Sequence, residues 1–325
     1  MGLLILLALG FVVYWTFLVL VTLDALRKPP RRSLAWCLAR SQPFEPTELP
    51  APREFECSEI TEPAATNSIR PTTHPTTCPV WTIPGDDPAG PVAIFSHGWG
   101  ESKQAVLQRL DALAPVCSTI VSWDMPGHGD ASPGACRLGI NEHRALGELI
   151  ETVAESLAPD HPIVLVGFSM GAGVSLRAAA DNPDRVAAVI AEAPYRLPQT
   201  PAQNVMQFKG FPYRLNLRPA LAITGLLADR NPTWQGFDRA AIASRLGCPL
   251  LVIHAIADEM CPLADGRAIA DAAPDAEIVE IAGASHTDLW QQPGPRQEAR
   301  QAVLAFIGAL KPGHAAPAAS AAPTD

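Results

Sequence analysis

The chain reads as an α/β protein: one open, eight-stranded, mostly parallel sheet flanked by helices and interrupted by a short insertion. Three observations lead there. Between about residues 53 and 310, short runs rich in Val and Ile alternate with longer helical patterns, the signature of strand-helix-strand units. One such unit carries Gly167-Phe168-Ser169-Met170-Gly171 between the apolar run IVLVG and the helical run MGAGVSLRAAA. With 325 residues, 48% of them hydrophobic, the chain is long enough to bury a catalytic domain's core.

Leu3 to Leu23 contains no charged residue and matches the roughly 20 residues that cross a hydrocarbon core as a helix. It reads as a transmembrane anchor, within a unit at 1–26. A secretory signal peptide competes, but no basic region precedes the run and no clear small-residue cleavage site follows it. A soluble helix would need a polar face, and this one has none. Arg27, Lys28, Arg31 and Arg32 follow at once, and the positive-inside bias puts them, with the main domain, on the cytoplasmic side. Residues 27–52 hold six prolines and read as a linker that lets the domain stand off the bilayer.

The strands expected are Phe55–Ile60, Val80–Ile83, Val92–Ser96, Thr119–Trp123, Ile163–Gly167, Val186–Ala191, Leu250–His254 and Glu277–Ile281. Helical patterns lie at Gln104–Leu113, Asn141–Leu157, Met170–Asp181, Leu263–Ala272 and near Gln297–Leu310. The interval from about 195 to 247 breaks the rhythm and carries Phe208, Phe211, Tyr213, Trp234 and Phe237. A stretch that long reads as a lid over a pocket, or as a helical crossover with packing aromatics. The tail, 311–325, is mostly Ala, Pro, Ser and Gly and is expected to be disordered.

Composition excludes some functions. The balance of 24 Lys+Arg against 33 Asp+Glu gives a net charge of -9, which argues against nucleic acid as a partner. Seven cysteines without a C-x-x-C pair signal neither a disulfide framework nor a zinc ribbon.

The G-x-S-x-G turn carries the sharpest chemistry. So tight a strand-to-helix bend needs small residues two positions either side, at Gly167 and Gly171, and it lifts the hydroxyl of Ser169 above the sheet's carboxyl edge. A serine hydroxyl becomes a good nucleophile only when an imidazole takes its proton and a carboxylate orients that imidazole. His286, in the turn Gly283-Ala284-Ser285-His286, and Asp258, just past the strand Leu250–His254, follow in the order Ser, Asp, His. Glu192, Glu259 and Asp288 are rival acids; His97, His128, His143 and His254 are rival histidines. Ser96-His97-Gly98-Trp99-Gly100 follows a strand, so the backbone N–H groups of Trp99 and Met170 are the expected oxyanion hole.

With these residues in place, the chain resembles the α/β-hydrolases, in the serine-hydrolase group that includes monoacylglycerol lipase-like and serine aminopeptidase-like enzymes. Asp124-Met125-Pro126-Gly127-His128-Gly129 adds to the likeness by resembling the family's D-x-P-G-x-G loop, and the similarity spans about residues 53–310. It implies the fold, a Ser169-Asp258-His286 triad, and no metal or organic cofactor. Ser169 stands where epoxide hydrolases and haloalkane dehalogenases carry aspartate, which disfavours those chemistries. The expectation is a membrane-anchored hydrolase of carboxylic or lipid-derived acyl esters acting on a small-molecule or lipid substrate. An acyltransferase, a thioesterase, a peptidase or a silent binding protein on the same fold are the alternatives.

Overall fold

The computed structural model describes residues 1–32, 34–62, 76–157 and 161–310. The expectation for the tail at 311–325 lies outside the described residues. Ten α-helices and eight strands are found among the described residues. In chain order they are α1 (Gly2–Arg27), α2 (Leu34–Leu38), β1 (Glu56–Glu62), β2 (Thr76–Pro84), β3 (Val92–Ser96), α3 (Leu110–Leu113), β4 (Thr119–Trp123), α4 (Glu142–Ser156) and β5 (Ile163–Phe168). There follow α5 (Met170–Asp181), β6 (Val186–Glu192), α6 (Gln199–Phe208), α7 (Leu217–Asp229), α8 (Arg239–Ala243), β7 (Leu250–Ala255), α9 (Leu263–Ala272), β8 (Ala276–Ile281) and α10 (Pro293–Gly308).

The sheet order is β1-β2-β4-β3-β5-β6-β7-β8, with β2 antiparallel to both its neighbours, β1 and β4, and the remaining pairs parallel. Helices cover both faces, so the central strands are largely apolar on both sides, and β3 (VAIFS) and β5 (IVLVGF) are buried throughout. The pleat sorts their side chains by parity. Val92 and Ile94 join Leu146, Leu149 and Val174 in one core, whereas Ala93 and Phe95 join Leu110, Val303 and Phe306 in the other. At the open edge β1 exposes Glu56, Ser58 and Glu59, charges and hydroxyls that discourage pairing with a second sheet.

Most element boundaries fall within a few residues of expectation, and the departures have local causes. The helix foreseen at Gln104–Leu113 divides into a 3₁₀ stretch, Lys103–Gln108, and the single turn α3. The last helix starts at Pro293 rather than Gln297, because proline is compatible with a first helical turn whose N–H groups have no intrahelical partner. Inside the interval 195–247 three helices form, α6 to α8, their amphipathic periods obscured in sequence by Pro201, Pro212 and Pro219.

The N-terminal region departs most from expectation. α1 is a single 26-residue helix long and apolar enough to cross a membrane. Its last turns nevertheless pack on α7, burying Val19, Thr22 and Leu26, which share one helical face. The described residues of 27–52 lie against the domain rather than standing off it: Pro29 and Cys37 are buried, Arg31 donates to the carbonyl of Ala131 at 2.7 Å, and Arg32 pairs with Glu101 at 3.1 Å.

Candidate active site

Because β3 and β5 to β8 run parallel, their carboxyl ends share one edge, and the loops leaving that edge converge. Ser169 leaves β5, Asp258 follows β7, His286 follows β8 and the His97–Gly100 turn follows β3.

Ser169 has φ 53° and ψ -110°, a conformation that L side chains rarely adopt, and its amide is held by the carbonyl of Glu192 at 2.8 Å. The flanking glycines are sterically required. A Cβ on Gly167 would strike the carbonyl oxygen of Gly171, and one on Gly171 would strike the carbonyl oxygens of Ser96 and His97. The elbow therefore wedges against the end of β3, carrying Met170, the first residue of α5, toward the His97–Gly100 turn.

From the Ser169 hydroxyl a line of hydrogen bonds runs inward. His286 Nε2 lies 3.1 Å from Ser169 Oγ, and His286 Nδ1 lies 2.7 Å from Asp258 Oδ2. The other oxygen of Asp258 accepts backbone N–H groups from Met260 at 2.9 Å and Cys261 at 2.7 Å, which fixes the carboxylate plane. The Phe168 ring packs against the imidazole with centroids 5.0 Å apart. Burial disfavours a charge on His286, but Cys261 and the hydrogen bond to Asp258 outweigh it and raise its pKa well above the ordinary value near 6.5.

The rival groups are held by other partners, and His254 Nε2 stays 3.6 Å from Asp258 Oδ2. His97 takes Gly98 O at 2.8 Å on Nδ1 and the Met125 amide at 3.1 Å on Nε2, and burial holds it neutral with a pKa of about 4. His128 packs edge-on to His97 and is pushed down to about 3 by burial. His254 meets the carbonyl of Cys261 at 2.8 Å, and His143 faces Asp181 at 3.6 Å. Among the acids, Glu192 is bound by Arg109 at 2.6 Å and Trp290 at 3.0 Å, Asp288 ties the Ser285 amide at 2.6 Å, and Glu259 approaches the His286 amide at 3.4 Å. None of these rivals shares a hydrogen bond with Ser169 Oγ among the described residues.

Asp124, in the D-x-P-G-x-G stretch, accepts from the Lys103 amide and ammonium, each at 2.7 Å, and from the Asp130 amide at 2.9 Å. Its part is to pin that loop beneath the site. Asp258, Cys261 and His286 are the one cluster of potential metal donors among the described residues, within 4.8 Å of one another. Seating an ion there would break the 2.7 Å bond between His286 and Asp258.

Ser169, Met170 and His286 open into a mainly apolar cavity of about 270 Å³, whose walls include Leu26, Trp99, Ala202, Val205, Phe208 and Met260. Two residues at the site had no sequence signal: one is a cavity wall, the other a neighbour of the Ser169 hydroxyl. Leu26 comes from the last turn of α1, and its carbonyl accepts the Trp99 indole N–H at 2.9 Å. Cys261, with Sγ 3.9 Å from Ser169 Oγ, enters because the loop after β7 turns back over the serine.

A profile of the alpha/beta hydrolase family matches residues 93–305, and the chain belongs to that family. Among characterised relatives, a pimeloyl-[acyl-carrier protein] methyl ester esterase of Chromobacterium violaceum is 27% identical over 235 residues, covering 61% of this chain and 87% of that enzyme. A monoacylglycerol lipase of Mycolicibacterium smegmatis is 26% identical over 250 residues, 66% of this chain and 86% of the lipase. Among solved structures, an esterase of Pyrococcus furiosus superposes with a TM-score of 0.60 at 16% identity, covering 86% of this chain and 97% of that one, a likeness of fold. The chain is thus an esterase- and lipase-like α/β-hydrolase.

Proposed function

We propose that the protein is a membrane-anchored serine hydrolase that cleaves an ester of an apolar acyl group. The observation that carries this reading is the unbroken line from Ser169 Oγ through His286 to Asp258 at the foot of an apolar cavity. In the mechanism, Ser169 Oγ attacks the ester carbonyl while His286 Nε2 accepts its proton, and Asp258 stabilises the imidazolium on its Nδ1 side. The backbone N–H of Met170, unpaired by helix geometry in the first turn of α5, and that of Trp99 receive the oxyanion. His286 then gives its proton to the leaving alkoxide, the acyl group remains on Ser169, and water activated by the same imidazole releases the acid.

Apolar lining favours an acyl chain over a polar peptide, and the C. violaceum esterase and M. smegmatis lipase are both named for acyl-ester substrates. Anchoring rests on α1, with Arg27, Lys28, Arg31 and Arg32 placing the main domain on the cytoplasmic side. Retention of α1, as opposed to cleavage as a signal, is favoured by its last turn forming part of the cavity wall. The lid is α6 to α8, over the domain spanning about residues 53–310.

The test is labelling of the full-length protein in detergent micelles with a fluorophosphonate, an electrophile that reacts with activated serines. Labelling is expected in the parent and absent in Ser169→Ala and His286→Ala; persistence in Ser169→Ala overturns the assignment of the nucleophile.

A further inference from the structure

Trp15 lies within the apolar run of α1, yet its indole N–H donates to the carbonyl of Leu215, in the loop joining α6 to α7, at 3.0 Å. Leu23, where that run ends, is eight positions beyond Trp15, and at roughly 1.5 Å of rise per residue that is about 12 Å of helix. Where α1 enters a bilayer, the Leu215 loop enters with it. The contact is a packed one: Thr22, on the same face, accepts a buried hydrogen bond from Asn216, the residue next to Leu215.

The surface that follows α1 is suited to lipid. Phe208, Phe211 and Leu215 are 80%, 39% and 65% exposed. Lys209, Arg214 and Arg218 are interleaved with them and exposed, an arrangement that partitions apolar groups into the acyl boundary and cations against anionic headgroups. Phe208 and Lys209 also line the cavity, as does Leu26 at the end of α1, so the cavity meets the same surface.

We infer that the lid stretch 208–218 is a second membrane-binding element, docked beside α1 in the leaflet nearest the domain, which sets the cavity mouth at the headgroup boundary of an anionic phospholipid bilayer. The ester then enters sideways from the leaflet, acyl chain along the Leu26 and Phe208 wall, without passing through water. This rests on the anchoring reading above and adds to it the depth and orientation of the domain.

The experiment uses the full chain in vesicles of phosphatidylcholine and phosphatidylglycerol, with the exposed Cys57 replaced by serine. A polarity-sensitive fluorophore is placed on one new cysteine at a time: Val12→Cys in α1, Phe211→Cys in the lid and Gln301→Cys on α10. Spin-labelled phospholipid is expected to quench the first two and spare the third. Quenching at position 12 with position 211 matching position 301 overturns the lid inference and leaves the anchor standing; no quenching at position 12 overturns both. In parallel, Phe211→Asp with Leu215→Asp is expected to lower turnover of a long-chain monoacylglycerol held in vesicles about tenfold, while hydrolysis of dissolved p-nitrophenyl acetate changes far less. An equal effect on the two substrates, or none, overturns it.

Discussion

At Ser169 the backbone takes on strain that the rest of the elbow holds in place. Its positive φ is sustained by the Glu192 carbonyl on its amide and by glycines at 167 and 171. Removing the hydroxyl leaves that scaffold intact and deletes only the proposed nucleophile. Ser169→Ala is therefore expected to retain its melting temperature within a degree or two while turnover of a chromogenic ester falls on the order of 10⁶-fold. As the proposed general base His286 must be neutral, and its raised pKa means that turnover climbs with pH through a midpoint above about 6.5. Asp258→Asn takes away the carboxylate that favours the imidazolium, so the midpoint should move to lower pH as turnover falls about 10⁴-fold. A pH-rate profile of parent and variant reads both effects, and a midpoint that stays fixed counts against Asp258 as the orienting group. That Ser169, Asp258 and His286 lie together was legible in the sequence, because each sits just past an apolar run in an order that this sheet topology permits. Cys261 was not, since only the turn of the loop back over Ser169 brings it within 3.9 Å.

Among elements, α5 and α1 depend on the domain in opposite ways. α5 begins where β5 ends and is buried along most of its length, so the space around its first turn is fixed by backbone atoms that cannot move aside. Gly171→Ala should therefore cost at least the 1–3 kcal/mol usual for overpacking, read as a lowered melting temperature, because the added carbon meets the Ser96 and His97 carbonyls. α1 has almost no polar residue before its last turns, and the length and apolarity visible in sequence are those of a spanning helix. Its inner face, Trp15, Val19, Thr22 and Leu26, follows helical spacing that an all-apolar run conceals. Leu26→Trp should partly fill the 270 Å³ cavity and lower kcat/KM for long-chain esters more than for short ones, measured across a chain-length series. A uniform change along the series would place Leu26 outside the acyl site.

For the whole molecule, the buried histidines set the acid limit. His97 and His128 have pKa values of about 4 and about 3 in the folded chain, below the ordinary 6.5, because burial opposes their charge. As pH falls below about 6.5 the unfolded chain binds these protons first, so the folded state loses stability by linkage until the folded pKa values are reached. By pH 5 the loss is about 2 kcal/mol for each histidine. His286 has the opposite shift: its stabilising proton is already bound in the folded chain by about pH 6.5, so it does not offset the slope below that. Denaturant melts at pH 7 and pH 5 should show the decline, and His97→Gln should flatten it. A stability independent of pH across this range would mean that these imidazoles titrate normally.

The sequence by itself determined the sheet, the elbow, the pairing of Ser169 with His286 and Asp258, and the apolar N-terminal helix. Each of these is written in local periodicity or in residue types that must occur near one another along the chain. Tertiary structure alone decided that the described residues of 27–52 lie on the domain, that α1 supplies a cavity wall, and that the Leu215 loop packs at the level of Trp15. Those contacts join residues up to 200 positions apart through single hydrogen bonds and apolar faces. An apolar side chain carries no mark of its partner, because burial against lipid and burial against protein favour the same residues.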